Sequence, residues 1–191
     1  MAEVLLFHHA LGRTPGVLEF ADRLRHAGHV VHTPDLYDGR TFSTLEDGLA
    51  HAERIGFEAV VERGTRAADE LPHELVYAGF SLGVLPAQKL AQTREGARGA
   101  LLYCACVPPE QLGSPWPQAV PVQVHGMQDD PVFAGEGDLD AARALVASTP
   151  HAELFGYPGD QHLFADPGLP SYRPQAADLL LQRTLTFLEP L

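Results

Sequence analysis

The sequence predicts a doubly wound α/β fold in one domain over residues 1–191. Short apolar runs alternate with amphipathic segments along the whole chain, in an order that favours a mostly parallel sheet with helices on both faces. Most of the apolar runs are continuous, as expected for strands that are buried on both faces. The chain is long enough to bury a full core in one domain.

Six apolar runs are predicted as strands, over residues 4–8, 29–33, 75–79, 99–104, 120–125 and 153–157. Loops beyond the carboxyl ends of parallel strands form the ligand crevice of such a sheet. Two of these loops are long, 34–42 and 107–119, and each follows a predicted strand. Their aromatic residues Tyr37, Phe42 and Trp116 are therefore candidates for a substrate pocket, although they could equally cover the edge of the core.

Six helices are predicted between the strands, over residues 14–26, 43–55, 57–71, 82–93, 138–148 and 174–188. Thr14 and Pro15 fit the cap and the first position of the first helix, and Gly28 would end it. Either Ser43 or Thr44 could cap the second helix.

The charge balance excludes two classes of partner. The chain has 13 Lys and Arg residues against 25 Asp and Glu residues, which gives a formal net charge of −12. Such a chain is not expected to bind nucleic acid or an anionic membrane surface. Its N-terminal apolar stretch of about five residues is too short for a signal peptide, and no run approaches the ~18 apolar residues of a membrane span. We therefore expect a cytoplasmic location.

Cys104 and Cys106 are the only cysteines, and they lie two residues apart in an apolar run. Neighbours this close in a strand point the same way and do not easily meet disulfide geometry. Without a second cluster of ligands they also give little support for a metal site. Buried free cysteines are the preferred interpretation.

The most informative motif is Gly79-Phe80-Ser81-Leu82-Gly83, a G-x-S-x-G sequence between a predicted strand and a predicted helix. On such a sharp turn the serine Oγ stands exposed above the sheet, and the glycines let the backbone turn tightly. Ser81 is the predicted nucleophile, and the Leu82 N–H is predicted to donate to an oxyanion. The alternative is an ordinary strand-to-helix turn whose glycines serve packing alone.

A serine nucleophile needs a base that a third group orients. Asp129 and Asp130 follow the fifth predicted strand and His162 follows the sixth, so these side chains could meet Ser81 at one edge of the sheet. Chemistry alone does not separate the two aspartates. Asp130 is preferred because the following Pro131 restricts it to an extended conformation.

Other residues are assigned supporting roles around the serine. His8 and His9 end the first strand and are expected to shape the loop that faces the elbow, while His125 is expected to brace the acid loop. The second oxyanion donor should be a backbone N–H of that first loop. Ala10 is the first choice and Leu11 the second.

With these motifs placed, nearly the whole chain resembles the dienelactone hydrolase family of α/β-hydrolases. The resemblance lies in Pro34-Asp35-Leu36-Tyr37, the Ser81 elbow, Asp129-Asp130-Pro131, Gln161-His162-Leu163-Phe164-Ala165 and the tail Arg183-Thr184-Leu185-Thr186-Phe187-Leu188. It implies a small α/β-hydrolase without a lid domain that cleaves esters or lactones, with no metal and no organic cofactor. We expect a monomer or a homodimer.

Two positions differ from the family pattern. The best-known members have cysteine where this chain has Ser81, and serine makes an ordinary esterase mechanism plausible. The family also holds a carboxylated lactone with arginines, one of them four residues after the catalytic histidine, where this chain has Asp166. If Asp166 faces the pocket, it should disfavour carboxylated substrates; otherwise it points to solvent or pairs with Arg173. Arg40 lies near the position of the other arginine and is a candidate substrate contact.

The predicted function is hydrolysis of a carboxylic ester, thioester or lactone. Its residues are Ser81, His162 and Asp130, the oxyanion donors Leu82 and Ala10, and the pocket residues Leu11, Tyr37, Arg40 and Trp116. One alternative is perhydrolase or haloperoxidase-type chemistry at the same residues. Another is a binding protein for small molecules with little turnover, and a third is a flavodoxin-like domain. The chain has neither a G-x-G-x-x-G nor a P-loop motif that would favour nucleotide binding.

Overall fold

The computed structural model describes residues 1–191 and contains one six-stranded sheet. The strands are β1 (Glu3–Phe7), β2 (Val30–His32), β3 (Val76–Phe80), β4 (Gly99–Tyr103), β5 (Val122–Met127) and β6 (Ala152–Tyr157). They lie in the order β2-β1-β3-β4-β5-β6, and every neighbouring pair is parallel. The α/β prediction is confirmed.

Six α-helices cover the two faces of this sheet. They are α1 (Pro15–His26), α2 (Leu45–Ile55), α3 (Phe57–Arg66), α4 (Val84–Thr93), α5 (Asp138–Ser148) and α6 (Pro174–Leu188). Short 3₁₀ turns lie at Ser81–Gly83 and Pro109–Leu112. None of the helices combines the length and the apolar character needed to cross a membrane.

The alternating side chains of the strands divide the core into two clusters. Leu5 and Phe7 of β1 pack in a cluster with buried residues of α2, α3, α4 and α5, whereas Val4 and Leu6 pack on the other face with α1 and α6. All four side chains are at most 1% exposed. Burying one such side chain contributes about 1.5–3 kcal/mol, so the apolar strands fix the sheet as the middle layer.

The strand order creates a crevice at the carboxyl ends of β1 and β3. The chain passes from β1 to β2 on one side of the sheet and then returns to place β3 on the other side of β1. Connections therefore leave these two strands in opposite directions, and ligands bind at such a point in open α/β sheets. Residues 8–12 follow β1 and Ser81 follows β3 directly.

Several predicted boundaries differ from the structure. The fifth strand lies two residues later than predicted and begins at Val122; Pro121 precedes it and has no N–H to donate. The third helix ends at Arg66 rather than at residue 71, where i→i−3 hydrogen bonds of residues 68 and 69 replace the helical pattern. The helix after the elbow begins at Val84, because Ser81–Gly83 forms a tighter 3₁₀ turn.

Candidate active site

Ser81 lies on a sharp turn between β3 and α4. Its backbone is in the left-handed region, with φ of 48°, which is a strained conformation for a residue with a side chain. A Cβ on Gly79 would overlap the carbonyl of Gly83, and one on Gly83 would overlap the carbonyls of Phe7 and His8. Both glycines are therefore required by close backbone approach, and the Ser81 side chain on the turn between them is half-buried.

His162 connects Ser81 to a buried carboxylate. Its Nε2 lies 2.9 Å from Oγ of Ser81, and its Nδ1 lies 2.6 Å from Oδ2 of Asp130. Because a carboxylate only accepts, Nδ1 bears the proton in this arrangement and Nε2 is free to accept from the serine hydroxyl. The geometry is that of a serine made nucleophilic by a base whose ring is held by an acid.

The two candidate aspartates occupy different environments. Asp130 is fully buried, and its Oδ1 also accepts from the Val132 N–H at 2.9 Å. Asp129 is exposed, and its carboxylate makes no hydrogen bond or ion pair within the chain. Only Asp130 lies against the imidazole of His162.

The loop after β1 distinguishes the two candidates for the second oxyanion donor. The Leu11 N–H already donates to Nδ1 of His9, at 3.3 Å. The Ala10 N–H has no hydrogen-bond partner within the chain. Of the two candidates, the Ala10 N–H is therefore the one that remains available, and the N–H of Leu82 lies in the 3₁₀ turn after Ser81.

An open cleft of about 360 Å³ adjoins the imidazole of His162. It contains no Asp, Glu, Lys or Arg side chain; its other lining residues are Leu11, Ser43, Leu45, Gln161, Leu163, Leu169, Pro170 and Ser171. Leu11 is thus the predicted pocket residue that the structure places at this cleft.

The other three predicted pocket residues do not line this cleft. Tyr37 is fully buried in the core, with its ring edge against His8 and His51. Trp116 donates its Nε1–H to the carbonyl of Val120 and borders a separate hollow beside α5. Arg40 is exposed and its guanidinium makes no hydrogen bond or ion pair within the chain.

The positions of Tyr37 and Trp116 correct the pocket expectation for these two residues, because both side chains pack into the core. Tyr37 and Trp116 belong to the same apolar cluster, and Phe42 packs against it. The interpretation that the sequence left open, that aromatic residues cover the edge of the core, describes them.

Asp166 lies neither in the pocket nor at the surface, the two positions that the sequence suggested for it. It is 3% exposed and accepts hydrogen bonds from His9 Nε2 at 2.8 Å, Thr14 Oγ1 at 2.8 Å and the Gly168 N–H at 2.7 Å. Burial by itself raises the pKa of Asp166, but these hydrogen bonds hold it below its usual range. It neither lines the cleft nor pairs with Arg173.

Three other buried titratable groups, His125, Cys104 and Cys106, have pKa values far from their ordinary ones. His125 bonds Oη of Tyr157 through Nδ1, at 2.8 Å, and Oε1 of Gln123 through Nε2, at 3.2 Å, which ties β5 to β6 rather than bracing Asp130. Burial lowers the pKa of His125 to about 3. Cys104 and Cys106 are free and buried, and burial raises the pKa of each thiol to about 12.

Comparisons with known proteins identify the family of the chain. The model of the dienelactone hydrolase family matches residues 1–191. No curated protein matches the chain significantly.

Solved structures share the fold at low sequence identity. A dienelactone hydrolase from Anabaena variabilis is 24% identical, with a TM-score of 0.68 over 98% of this chain and 85% of that one. A dienelactone hydrolase-like promiscuous phosphotriesterase from metagenomic libraries is 18% identical, with a TM-score of 0.71 over 100% and 87%. Esterase 2 of Thermogutta terrifontis, phosphonylated by sarin, is 17% identical, with a TM-score of 0.66 over 100% and 86%.

Proposed function

The chain belongs to the dienelactone hydrolase family and is a hydrolase of the α/β type, and we propose that it cleaves a carboxylic ester, thioester or lactone with Ser81 as nucleophile. One observation carries the proposal above the others. An unbroken chain of hydrogen bonds runs from Ser81 Oγ through both nitrogens of His162 to the buried Asp130. This is the arrangement that lets a neutral imidazole remove a hydroxyl proton as the oxygen attacks.

In the first half of the proposed reaction, Ser81 Oγ attacks the substrate carbonyl carbon while its proton passes to Nε2 of His162. Asp130 stabilises the imidazolium that forms and keeps its proton on Nδ1. The N–H groups of Leu82 and Ala10 donate to the carbonyl oxygen as it becomes an oxyanion. Collapse of the tetrahedral intermediate breaks the bond to the leaving oxygen or sulfur, which takes the proton from Nε2.

In the second half, water attacks the acyl-enzyme. His162 Nε2 again removes the proton of the attacking group, and the second tetrahedral intermediate uses the same two N–H donors. Its collapse breaks the bond between the acyl carbon and Ser81 Oγ, and the proton returns to that oxygen. The products are a carboxylic acid and an alcohol or thiol, or a hydroxy acid when the substrate is a lactone.

The cleft supports an uncharged substrate. Its lining is apolar with a few neutral polar groups, Ser43, Gln161 and Ser171, and it is open to solvent. It contains no lysine or arginine that could bind a carboxylate, and the chain as a whole is acidic. A neutral ester or lactone can bind there without leaving a charge unpaired.

The proposal is tested by locating the nucleophile with a fluorophosphonate probe. We expect a single adduct on Ser81 by mass spectrometry and hydrolysis of short nitrophenyl esters by the same preparation. Ser81→Ala should abolish the adduct and lower kcat by a factor on the order of 10⁶, as loss of such a nucleophile does in a serine protease. The susceptibility of the Thermogutta terrifontis esterase to an organophosphorus compound supports this choice of probe.

Ser148→Ala is the matched control, because Ser148 lies at the end of α5, outside the cleft. It should leave labelling and turnover at the wild-type level. An adduct on another residue, or an active protein that forms no adduct, would contradict the proposal.

A further inference from the structure

A second buried histidine–carboxylate pair lies against Phe80, the residue before Ser81, with the His9 and Phe80 ring centroids 6.4 Å apart, and has no part in the proposed proton transfer. His9, in the loop after β1, places Nε2 2.8 Å from Oδ2 of Asp166, in the loop after β6. Neither side chain is more than 3% exposed. Thr14, which caps α1, donates its hydroxyl to the same Oδ2 and accepts the Val17 N–H.

The hydrogen bonds determine the tautomer of His9. Its Nδ1 accepts from the Leu11 N–H, a group that can only donate, so Nδ1 bears no proton. Nε2 therefore carries the hydrogen and donates it to Asp166. Both ring nitrogens have partners, and the ring is held between two segments of the chain.

These contacts fix the peptides on either side of Ala10. The His9 carbonyl accepts from Gly12 N–H at 3.0 Å, the Leu11 N–H is taken by Nδ1 of His9, and the Leu11 carbonyl accepts from Phe42 N–H at 3.0 Å. The Ala10 N–H is the donor of this group that is left without a partner. An N–H donor accelerates the reaction by binding the oxyanion only if the donor already points toward the oxyanion position before the reaction begins.

We propose that His9 and Asp166 are positioning residues that hold the loop after β1 so that the Ala10 N–H faces Ser81 Oγ. The pair joins this loop to the segment that carries His162, since Asp166 lies four residues after that histidine. The role in turnover rests on the proposed function, whereas the tautomer of His9 and the fixed loop do not.

Two substitutions of His9 separate positioning from simple support of the fold. Asn at this position keeps a short acceptor that can bond the N–H two residues on, as in an Asx turn, but loses the bond to Asp166. Ala loses both. We expect His9→Ala to lower kcat by about 10²–10³, the range for loss of one oxyanion donor, and to leave KM within about twofold. His9→Asn should recover at least tenfold of that loss.

Thermal stability provides the contrast. Both variants lose the bond to Asp166, so both should lower Tm by a similar amount. Thr184→Val, which removes the buried hydrogen bond between Thr184 and Tyr103 Oη, should lower Tm without lowering kcat. Equal kcat values for His9→Ala and His9→Asn would overturn the positioning role. So would a Thr184→Val variant whose kcat falls together with its Tm.

A measurement on the resting protein tests the pair even if Ser81 proves not to be a nucleophile. In ¹⁵N NMR of the histidines, His9 should appear as the neutral Nε2–H tautomer, and the Leu11 amide should exchange slowly with solvent. Asp166→Leu removes both acceptor oxygens while keeping a side chain of similar size, and it should accelerate that exchange at least tenfold. A charged or Nδ1–H form of His9, or unchanged exchange in Asp166→Leu, would overturn the inference.

Discussion

The molecule contains two buried histidine–aspartate pairs, His162–Asp130 and His9–Asp166, which differ in what the second ring nitrogen contacts. Each carboxylate is almost fully buried and accepts from one imidazole nitrogen, at 2.6 and 2.8 Å. The remaining nitrogen of His162 meets the hydroxyl of Ser81, whereas that of His9 meets a backbone N–H. An imidazole can take the proton of a hydroxyl that attacks a carbonyl, but a backbone amide does not give up its proton. A carboxylate orients a histidine in either case, and the partner decides whether the histidine can act as a base.

Access to substrate separates the two pairs in the same way. His162 borders the open cleft, and Ser81 beside it is half-buried. His9 is fully buried and does not line this cleft. This difference in access supports the proposals that His162 acts in the reaction and that His9 acts by holding the loop after β1.

The largest loss of activity that tests the difference between the two pairs is expected for substitution of Asp130. Asp130→Asn should lower kcat by about 10³–10⁴ on a neutral nitrophenyl ester, because a mis-set imidazole tautomer costs about 10⁴ in a comparable triad. Asp129→Asn is the matched control and should cost much less, since that carboxylate is exposed and contacts no histidine. The reverse pattern would assign the role of the acid to Asp129. Small and equal effects would exclude both aspartates from that role.

The sequence could bring Ser81, Asp130 and His162 to one edge of the sheet because each of them follows a predicted strand. In a parallel sheet all such residues emerge at the same side, so strand assignment alone limits their positions. The two-residue error in the start of β5 does not matter, because the acid lies in the loop beyond it.

Side-chain direction could not be predicted in the same way. Tyr37 and Trp116 lie in loops whose sequences do not show which side faces the core, and tertiary packing turns both inward. His9 and Asp166 are 157 residues apart in the chain, and no spacing or motif connects them. Asp166 stands four residues after His162, which suggested the pocket; its hydrogen bonds with the first loop and α1 hold it in the interior instead.

His125 is a buried histidine without a carboxylate partner, and its effect on the pH dependence of stability can be compared with the two histidine–aspartate pairs. His125 bonds only the neutral groups of Tyr157 and Gln123, and burial lowers its pKa from 6.5 to about 3. Between pH 6.5 and about pH 3 the unfolded chain therefore binds up to one more proton than the folded chain. The free energy of unfolding thus falls as the pH is lowered through this range. Between pH 7 and pH 5 the contribution is about 2 kcal/mol.

Urea unfolding at both pH values measures this contribution. His125→Gln should lose less free energy of unfolding between pH 7 and pH 5 than the wild type does, by about 2 kcal/mol. The comparison uses the change with pH in each protein, so a lower starting stability of the variant does not affect it. An identical pH dependence in both would show that His125 does not stay neutral in the folded state.

The smallest expected effect concerns the charge of the substrate and follows from where the carboxylates of the two pairs lie. Asp166 is buried and fully hydrogen-bonded, so substitution by arginine would disrupt the interior rather than add a cation to the cleft. The cleft itself has no cationic side chain, and the net charge of −12 opposes anionic ligands by a salt-screened interaction.

We expect neutral esters or lactones to have a kcat/KM about tenfold above that of carboxylated analogues, a difference of about 1.4 kcal/mol. Ser43 is exposed at the cleft, so Ser43→Arg should narrow the ratio while the uncharged Ser43→Gln should not. A wild-type preference for the carboxylated substrate would contradict the expectation, and its loss in Arg40→Gln would identify the exposed Arg40 as the cation responsible.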